Sequence, residues 1–315
     1  SYITGWTKVS PPTNLHVDNV TDTAMRLNWS APTSSIGDNT AAPTGYNLKF
    51  DYGNSTSGSN TSATDVGTST QVTKSSLTQG QTYYWWVEAR GNGPDSGYIT
   101  GGAVLTLPAA PANFSIGSVS TTSITLSWDA VAGATSYTYY YGTSSSAAIS
   151  NPTTGHSSTS VTISGLQTNQ RYYATVGAVN NQGAGSVATI QDVYTKVGTP
   201  TSPTFTPNAG TPVNAPLSWT APSNGNAPSS YSVRFGTYSG DPDHAANTSL
   251  SPNNVGNTTS HNIGSLTAGG SYYFWVKAVG DGSDSDYTTR LDVQLLPAVP
   301  TNQTITPNSA TQVTL

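Results

Sequence analysis

Cysteine is absent from this 315-residue chain. That removes a disulfide framework, thiolate chemistry and any cysteine-ligated zinc site. Charge is scarce as well: Asp, Glu, Lys and Arg make up 8% of the residues, against about 25% in an ordinary globular domain. The 10 Lys and Arg are outnumbered by 15 Asp and Glu, and a net charge of −5 argues against a nucleic-acid partner. No apolar run reaches the roughly 20 residues of a transmembrane helix, so no membrane span is expected. A secretory leader is not visible either, and Ser1 is not an initiator Met, so the sequence reads as a processed or excised piece.

Low charge alone would suggest disorder, but disorder also needs few aromatics. Here 10% of the residues are aromatic, with 7 Trp and 18 Tyr, which is ample material for a core. Thr, Val, Ile, Tyr and Trp favour strands, while the abundant Gly, Asn and Pro favour turns. No stretch carries a sustained 3.6-residue apolar period with caps. The composition predicts an all-β protein.

Three motifs recur. Leu27-Asn28-Trp29, Leu126-Ser127-Trp128 and Leu217-Ser218-Trp219 are the first, their Trp residues 99 and 91 positions apart. Tyr46-Asn47-Leu48-Lys49-Phe50, Tyr137-Thr138-Tyr139-Tyr140-Tyr141 and Tyr231-Ser232-Val233-Arg234-Phe235 are the second. The third pairs a Leu with a Tyr six residues on: Leu77 with Tyr83, Leu166 with Tyr172, and Leu266 with Tyr272, each Tyr followed by Val and Ala at the fourth and sixth positions. All three alternate with period two, as half-buried strands do. Repeats of this size, holding several short strands between Gly, Asn, Ser and Pro turns, predict β-sandwiches.

The repeats resemble fibronectin type III domains, an immunoglobulin-like β-sandwich family. The resemblance implies a core Trp on the second strand, matched by Trp29, Trp128 and Trp219, and a corner Tyr, matched by Tyr83, Tyr172 and Tyr272. The missing cysteines separate the chain from disulfide-linked immunoglobulin domains. Whole repeats are expected at 11–108, 109–197 and 198–297. Residues 1–10 match the last strand of a preceding repeat, and 298–315 match the first strands of a following one. These partial repeats read as a window cut from a longer array; the alternative is end strands that pair with a partner's sheet edge. The joints at Leu107-Pro108-Ala109-Ala110-Pro111, Val197-Gly198-Thr199-Pro200 and Leu296-Pro297-Ala298-Val299-Pro300 are short and Pro-bearing, so they are expected to be semi-rigid spacers.

Catalytic chemistry finds no motif. His16, His156, His244 and His261 fall at strand edges or in loops, and no nucleophile elbow, phosphate loop, paired metal-binding His or dinucleotide fingerprint occurs. No enzyme activity and no cofactor are expected. The Asp residues of 281–286 and 241–243 read as turn formers rather than a calcium site, because neither cluster follows an EF-hand spacing.

The surface signal is aromatic. If Tyr83, Trp85 and Val87 point inward, then Tyr84, Trp86 and Glu88 point outward, as do Tyr273, Trp275 and Lys277, and Tyr173 with Tyr140 in the middle repeat. Exposed aromatics in a low-charge protein mark contact surfaces. Three readings stand: packing against other copies or neighbouring repeats, stacking of polysaccharide rings, or cross-strand pairs that only stabilise the sheet. Asn-x-Ser/Thr acceptors at Asn19, Asn28, Asn54, Asn60, Asn113, Asn247, Asn257 and Asn302 are compatible with a glycoprotein. The expected role is a structural segment of an extracellular or cell-surface fibre, filament or adhesin. The alternative is a carbohydrate-binding or spacer array of a secreted polysaccharide-degrading enzyme or phage tail fibre.

Overall fold

The protein, described by a computed structural model, is placed over residues 7–33, 42–52, 61–148, 150–207, 213–249, 251, 254–300, 306–309 and 312–314. It is built almost wholly of strands. The first repeat holds β1 (Thr13–Asp18), β2 (Met25–Ser30), β3 (Gly45–Tyr52), β4 (Thr64–Asp65), β5 (Gln71–Lys74), β6 (Thr82–Arg90) and β7 (Ile99–Leu105). The second holds β8 (Ser115–Val119), β9 (Ser123–Ser127), β10 (Ser136–Gly142), the single-turn α1 (Ser145–Ala148), β11 (Pro152–His156), β12 (Ser160–Ser164), β13 (Arg171–Asn180), β14 (Gly183–Val187) and β15 (Gln191–Tyr194). The third holds β16 (Thr201–Phe205), β17 (Val213–Thr220), β18 (Ser230–Gly236), the single-turn α2 (Ala245–Thr248), β19 (Ser260–Leu266), β20 (Ser271–Val279) and β21 (Leu291–Gln294). A hairpin of β22 (Thr306–Ser309) and β23 (Gln312–Thr314) follows.

By contacts the chain forms two compact units, one of residues 1–117, 126–161 and 173–192, the other of 118–125, 162–172 and 193–315. In the first unit, the sheets β1-β2-β5 and β4-β3-β6-β7 enclose a core of Met25, Leu27, Trp29, Tyr46, Leu48, Tyr83, Trp85, Val87 and Ala89. In the second, β16-β17-β19 and β18-β20-β21 enclose Leu217, Trp219, Tyr231, Val233, Tyr272, Phe274 and Val276 in the same way. Strand β2 shows why: Met25, Leu27 and Trp29 are buried while Arg26, Asn28 and Ser30 are half-exposed, so a six-residue strand commits one face to the core. Each core Trp meets the ring of its repeat's central Tyr. The centroid distances are 5.5 Å for Trp29–Tyr46, 5.4 Å for Trp128–Tyr137 and 5.2 Å for Trp219–Tyr231. Edge-on or tilted pairs of this kind are favoured by the ring quadrupole.

The corner tyrosines close their loops identically. Tyr83, Tyr172 and Tyr272 each accept a backbone N–H from five residues upstream, Thr78 at 2.8 Å, Gln167 at 3.1 Å and Thr267 at 3.0 Å. Two residues at the expected ends of repeats pack into the core of the repeat that follows. Val9 is buried in the first core and Val197 in the third, and their N–H groups donate to Pro94 and Ser283 carbonyls at 3.2 and 3.3 Å. The expectation for residues 1–6 lies outside the described residues.

Candidate functional site: outer sheet faces and the joints between repeats

Pleating alone sends Tyr84, Trp86 and Glu88 to the outer face of β6, opposite Trp85 and Val87. There the exposure expected for Trp86 is corrected: it is 5% exposed. Its neighbours across the sheet are Lys49 on β3 and Thr100 on β7, and Tyr84 stacks alongside at 6.5 Å and 21°. Lys49 places its ammonium 4.3 Å from the ring centroid of Tyr98. Tyr98 in turn bonds Glu88, which also accepts from Asn47 Nδ2 at 3.0 Å. Burial first, and then the Glu88 carboxylate, push the Tyr98 phenol above its ordinary pKa.

The third repeat builds the same layer from different residues. Trp275 is 4% exposed, a second correction, and its cross-strand neighbour is Arg234. Tyr287, at the position of Tyr98, donates to Asp243 Oδ1 at 2.8 Å; Arg234 Nε donates to the same oxygen at 3.1 Å. Lys277 pairs with Asp284 at 2.9 Å and lies 5.4 Å from the Tyr287 ring. Tyr273, half-buried, lies 4.9 Å beneath the Arg290 guanidinium. Burial and then the bond to Asp243 push the Tyr287 phenol up. Burial works against ionisation of Asp243, yet the bonds from Tyr287 and Arg234 hold its carboxyl below the usual range. In both repeats a cation, a tyrosine and a carboxylate thus bond to one another beside the strand that carries the buried tryptophan.

Among the described residues, the second repeat fills the corresponding positions with smaller side chains. Thr175, which takes the tryptophan's place, is buried and donates to the Ala188 carbonyl at 2.6 Å. Val187 takes the tyrosine's place and is 40% exposed; Tyr140 and Tyr173 are half-buried. Trp29, Trp128, Trp219, Tyr83, Tyr172 and Tyr272 all sit in the interior.

The Asp-rich turns are absorbed by ordinary contacts. Asp284 and Asp286 pair with Lys277 and Lys196, and Asp241 accepts the Asp243 N–H at 2.8 Å. Among the described residues there is no group of three or more His, Asp or Glu that could hold a metal ion. Of the glycosylation acceptors, Asn247 is buried, its amide donating to the Tyr238 and Asp241 carbonyls at 3.0 and 2.8 Å, whereas Asn19, Asn113 and Asn257 are exposed. Asn54, Asn60 and Asn302 lie outside the described residues.

Sequence reasoning missed the chemistry of the joints. In the first unit, the corner-loop Gly80 and the loop residue Gly133 pack backbone to backbone, both at positive φ of 62° and 72°, and a Cβ on either would strike the other segment. Asn180 Nδ2 donates to the Thr106 carbonyl at 2.9 Å. In the second unit, the corner loop ends in Asn169 where the first has Gly80. Asn169 is fully buried at φ 50°; its Nδ2 donates to Ala227 O at 2.8 Å and its Oδ1 accepts the Asp281 N–H at 2.8 Å. Asn226 answers by donating its own amide to Asn169 O at 3.1 Å and its N–H to Thr168 O at 3.0 Å. Thr168 Oγ1 bonds Asn224 O, and Lys196 pairs with Asp286 at 2.7 Å.

This geometry, three Trp-centred sandwich repeats each with a tyrosine corner, defines a tandem array of immunoglobulin-like β-sandwiches. The family model for the fibronectin type III domain matches residues 10–101, 109–191 and 198–294, and the chain belongs to that family. It is similar to chitinase A1 of Niallia circulans, 33% identical over 195 residues that cover 58% of this chain and 25% of the chitinase. It is also similar to the tyrosine-protein phosphatase Lar of Drosophila melanogaster, 26% identical over 98% of this chain and 16% of the phosphatase. The chain therefore spans a quarter or less of these curated relatives. Among solved structures it is similar to the chicken CNTN1 FN1–FN3 domains, 16% identical with a TM-score of 0.29, covering 92% of this chain and all of that one. A two-domain fibronectin type III segment of chicken tenascin is 19% identical with a TM-score of 0.36, covering 59% of this chain and all of that one.

Proposed function

We propose that the chain is a non-catalytic spacer segment of a secreted or cell-surface protein, with repeats at 11–108, 109–197 and 198–297 setting the separation of whatever flanks them. The observation that carries this reading is the joint. In both units consecutive repeats meet through close-packed, hydrogen-bonded loops rather than through a slack Gly/Ser tether. A long surface fibre or adhesin is the setting such joints suit. Lateral assembly through Trp86 and Trp275 draws no support from the structure, because both indoles are buried within their own repeats.

The test is energy transfer between fluorescent domains fused to the two ends of one-, two- and three-repeat versions of the chain. A spacer lowers transfer with every repeat added, by about 30–40 Å of separation each, judged from strand rise. Equal transfer from two and three repeats would sink the reading.

A second reading is favoured by the similarity to chitinase A1: a carbohydrate-binding array within a secreted polysaccharide-degrading enzyme. Tyr84, Tyr140, Tyr173 and Tyr273 are then the rings left half-exposed to meet sugar. Sedimentation of the chain with insoluble chitin decides it; loss of binding in Tyr140→Ala and Tyr173→Ala supports it, and no binding by the parent chain rejects it.

A further inference from the structure

We infer that Asn169 is a lock that fastens the corner loop of the second repeat to the third repeat. The partner this surface fits is the following repeat of the same chain: its loop 224–227 and its loop 280–286. The inference deepens the spacer reading and rests on it only for its purpose; the lock stands or falls independently of what the array carries.

Three corner loops occupy the same place ahead of Tyr83, Tyr172 and Tyr272, and all three need a left-handed residue there: Gly80, Asn169 and Gly269, at φ 62°, 50° and 78°. Glycine is the cheapest occupant of that region, and Asn is the side chain that best tolerates it. Asn therefore adds to the loop something glycine cannot supply, a buried amide. A buried amide without partners would be costly, and this one is satisfied across the joint. Its Nδ2 reaches Ala227 O at 2.8 Å, and its Oδ1 takes the Asp281 N–H at 2.8 Å, groups 58 and 112 residues distant.

The surrounding residues are shaped to the same contact. Gly280 leaves 3.1 Å between where a Cβ would lie and Asn169 Oδ1, and 3.0 Å to Val197 Cβ, so a larger residue would push the lock apart. Gly225, at φ 93°, presses its backbone on Thr168 so closely that a Cβ would collide with it. Val197 plugs the third core from the linker, and its N–H is taken by Ser283 O at 3.3 Å. Separating the joint would strand the Asn169 amide and draw Val197 from its core together. Coupling follows from that shared cost.

Amide hydrogen exchange on the full chain and on Asn169→Gly tests the lock. Glycine keeps the left-handed backbone, as at Gly80 and Gly269, and removes only the amide. Exchange at the bridging amides of Asp281 and Asn226 is expected to quicken by about tenfold or more on losing two buried hydrogen bonds. Gln167 and Thr267, whose N–H groups bind the corner tyrosines, should keep their rates. Unchanged exchange at Asp281 and Asn226 would overturn the inference, as would unprotected exchange of both in the parent chain. If Gln167 also quickened, the loop itself would have failed; Asn226→Ala, a change on an exposed residue of the facing loop, then gives the reading. Faster exchange at Asp281 in that variant supports the lock, and no change rejects it.

Discussion

Tyr287 donates its phenol to Asp243 across 44 residues of sequence, at 2.8 Å, and in doing so lies over Lys277 beside the strand that carries Trp275. Tyr98 does the same service for Trp86 through Glu88 and Lys49. Both phenols have raised pKa values, so each favours its protonated form in the folded state relative to an ordinary value of 10.0. Their contribution is whole below that ordinary value and is lost as pH climbs toward the folded one. Stability of the first and third repeats is therefore expected to fall as pH rises above about 10. Denaturant midpoints across that range measure it, and Tyr98→Phe with Tyr287→Phe should flatten the decline.

At the acid end the informative pair is Asp18 with Arg26. Bonds of 2.7 Å from both Nε and Nη2 of Arg26 hold the Asp18 carboxyl down at about 2, despite some burial working the other way. A depressed carboxylate contributes above its unfolded value, 3.8, and loses that contribution as pH falls toward 2. Carbon-detected NMR titration should show Asp18 returning toward 3.8 in Arg26→Ala.

Trp29→Ala removes a buried indole from the first core and leaves a cavity, an expected cost of about 3–5 kcal/mol. The third repeat has its own core and should melt as before. Calorimetry with residue-specific probes on Trp29 and Trp219 variants separates the two transitions.

Gly101 is a steric requirement of a different kind. A Cβ there would fall on the indole of Trp85, which is fully buried next to the register shift between Trp85 and Trp86. Gly101→Ala is expected to destabilise the first repeat by about 1–3 kcal/mol, typical of an overfilled core. Gly102, at φ 87° with open space around it, should suffer from alanine through backbone strain alone.

Much of the fold was legible because it is written locally. Leu27 and Trp29, or Leu77 and Tyr83, sit at fixed short spacings, and the pleat then assigns their faces. The outer faces were half legible. Alternation puts Trp86 and Trp275 on the face opposite Trp85 and Phe274, yet both are buried. Their strand neighbours Lys49 and Arg234 arrive through pairing registers, and Tyr98, Tyr287 and Asp243 from loops, none of which a short window contains. Asn169 was the least legible. In sequence it is one more turn-forming Asn, and only its distant partners Ala227 and Asp281 give its side chain a purpose.

The spacer account rests on stiffness at the joints, and the missing cysteines make that directly measurable. Single labels can be placed at Ser164→Cys in the second repeat and Thr289→Cys in the third, both exposed positions, with no native thiol to compete. Pulsed electron-spin distance measurement between them should give one narrow distribution that broadens in Asn169→Gly. A broad distribution in the parent chain, such as a slack tether produces, would contradict the account.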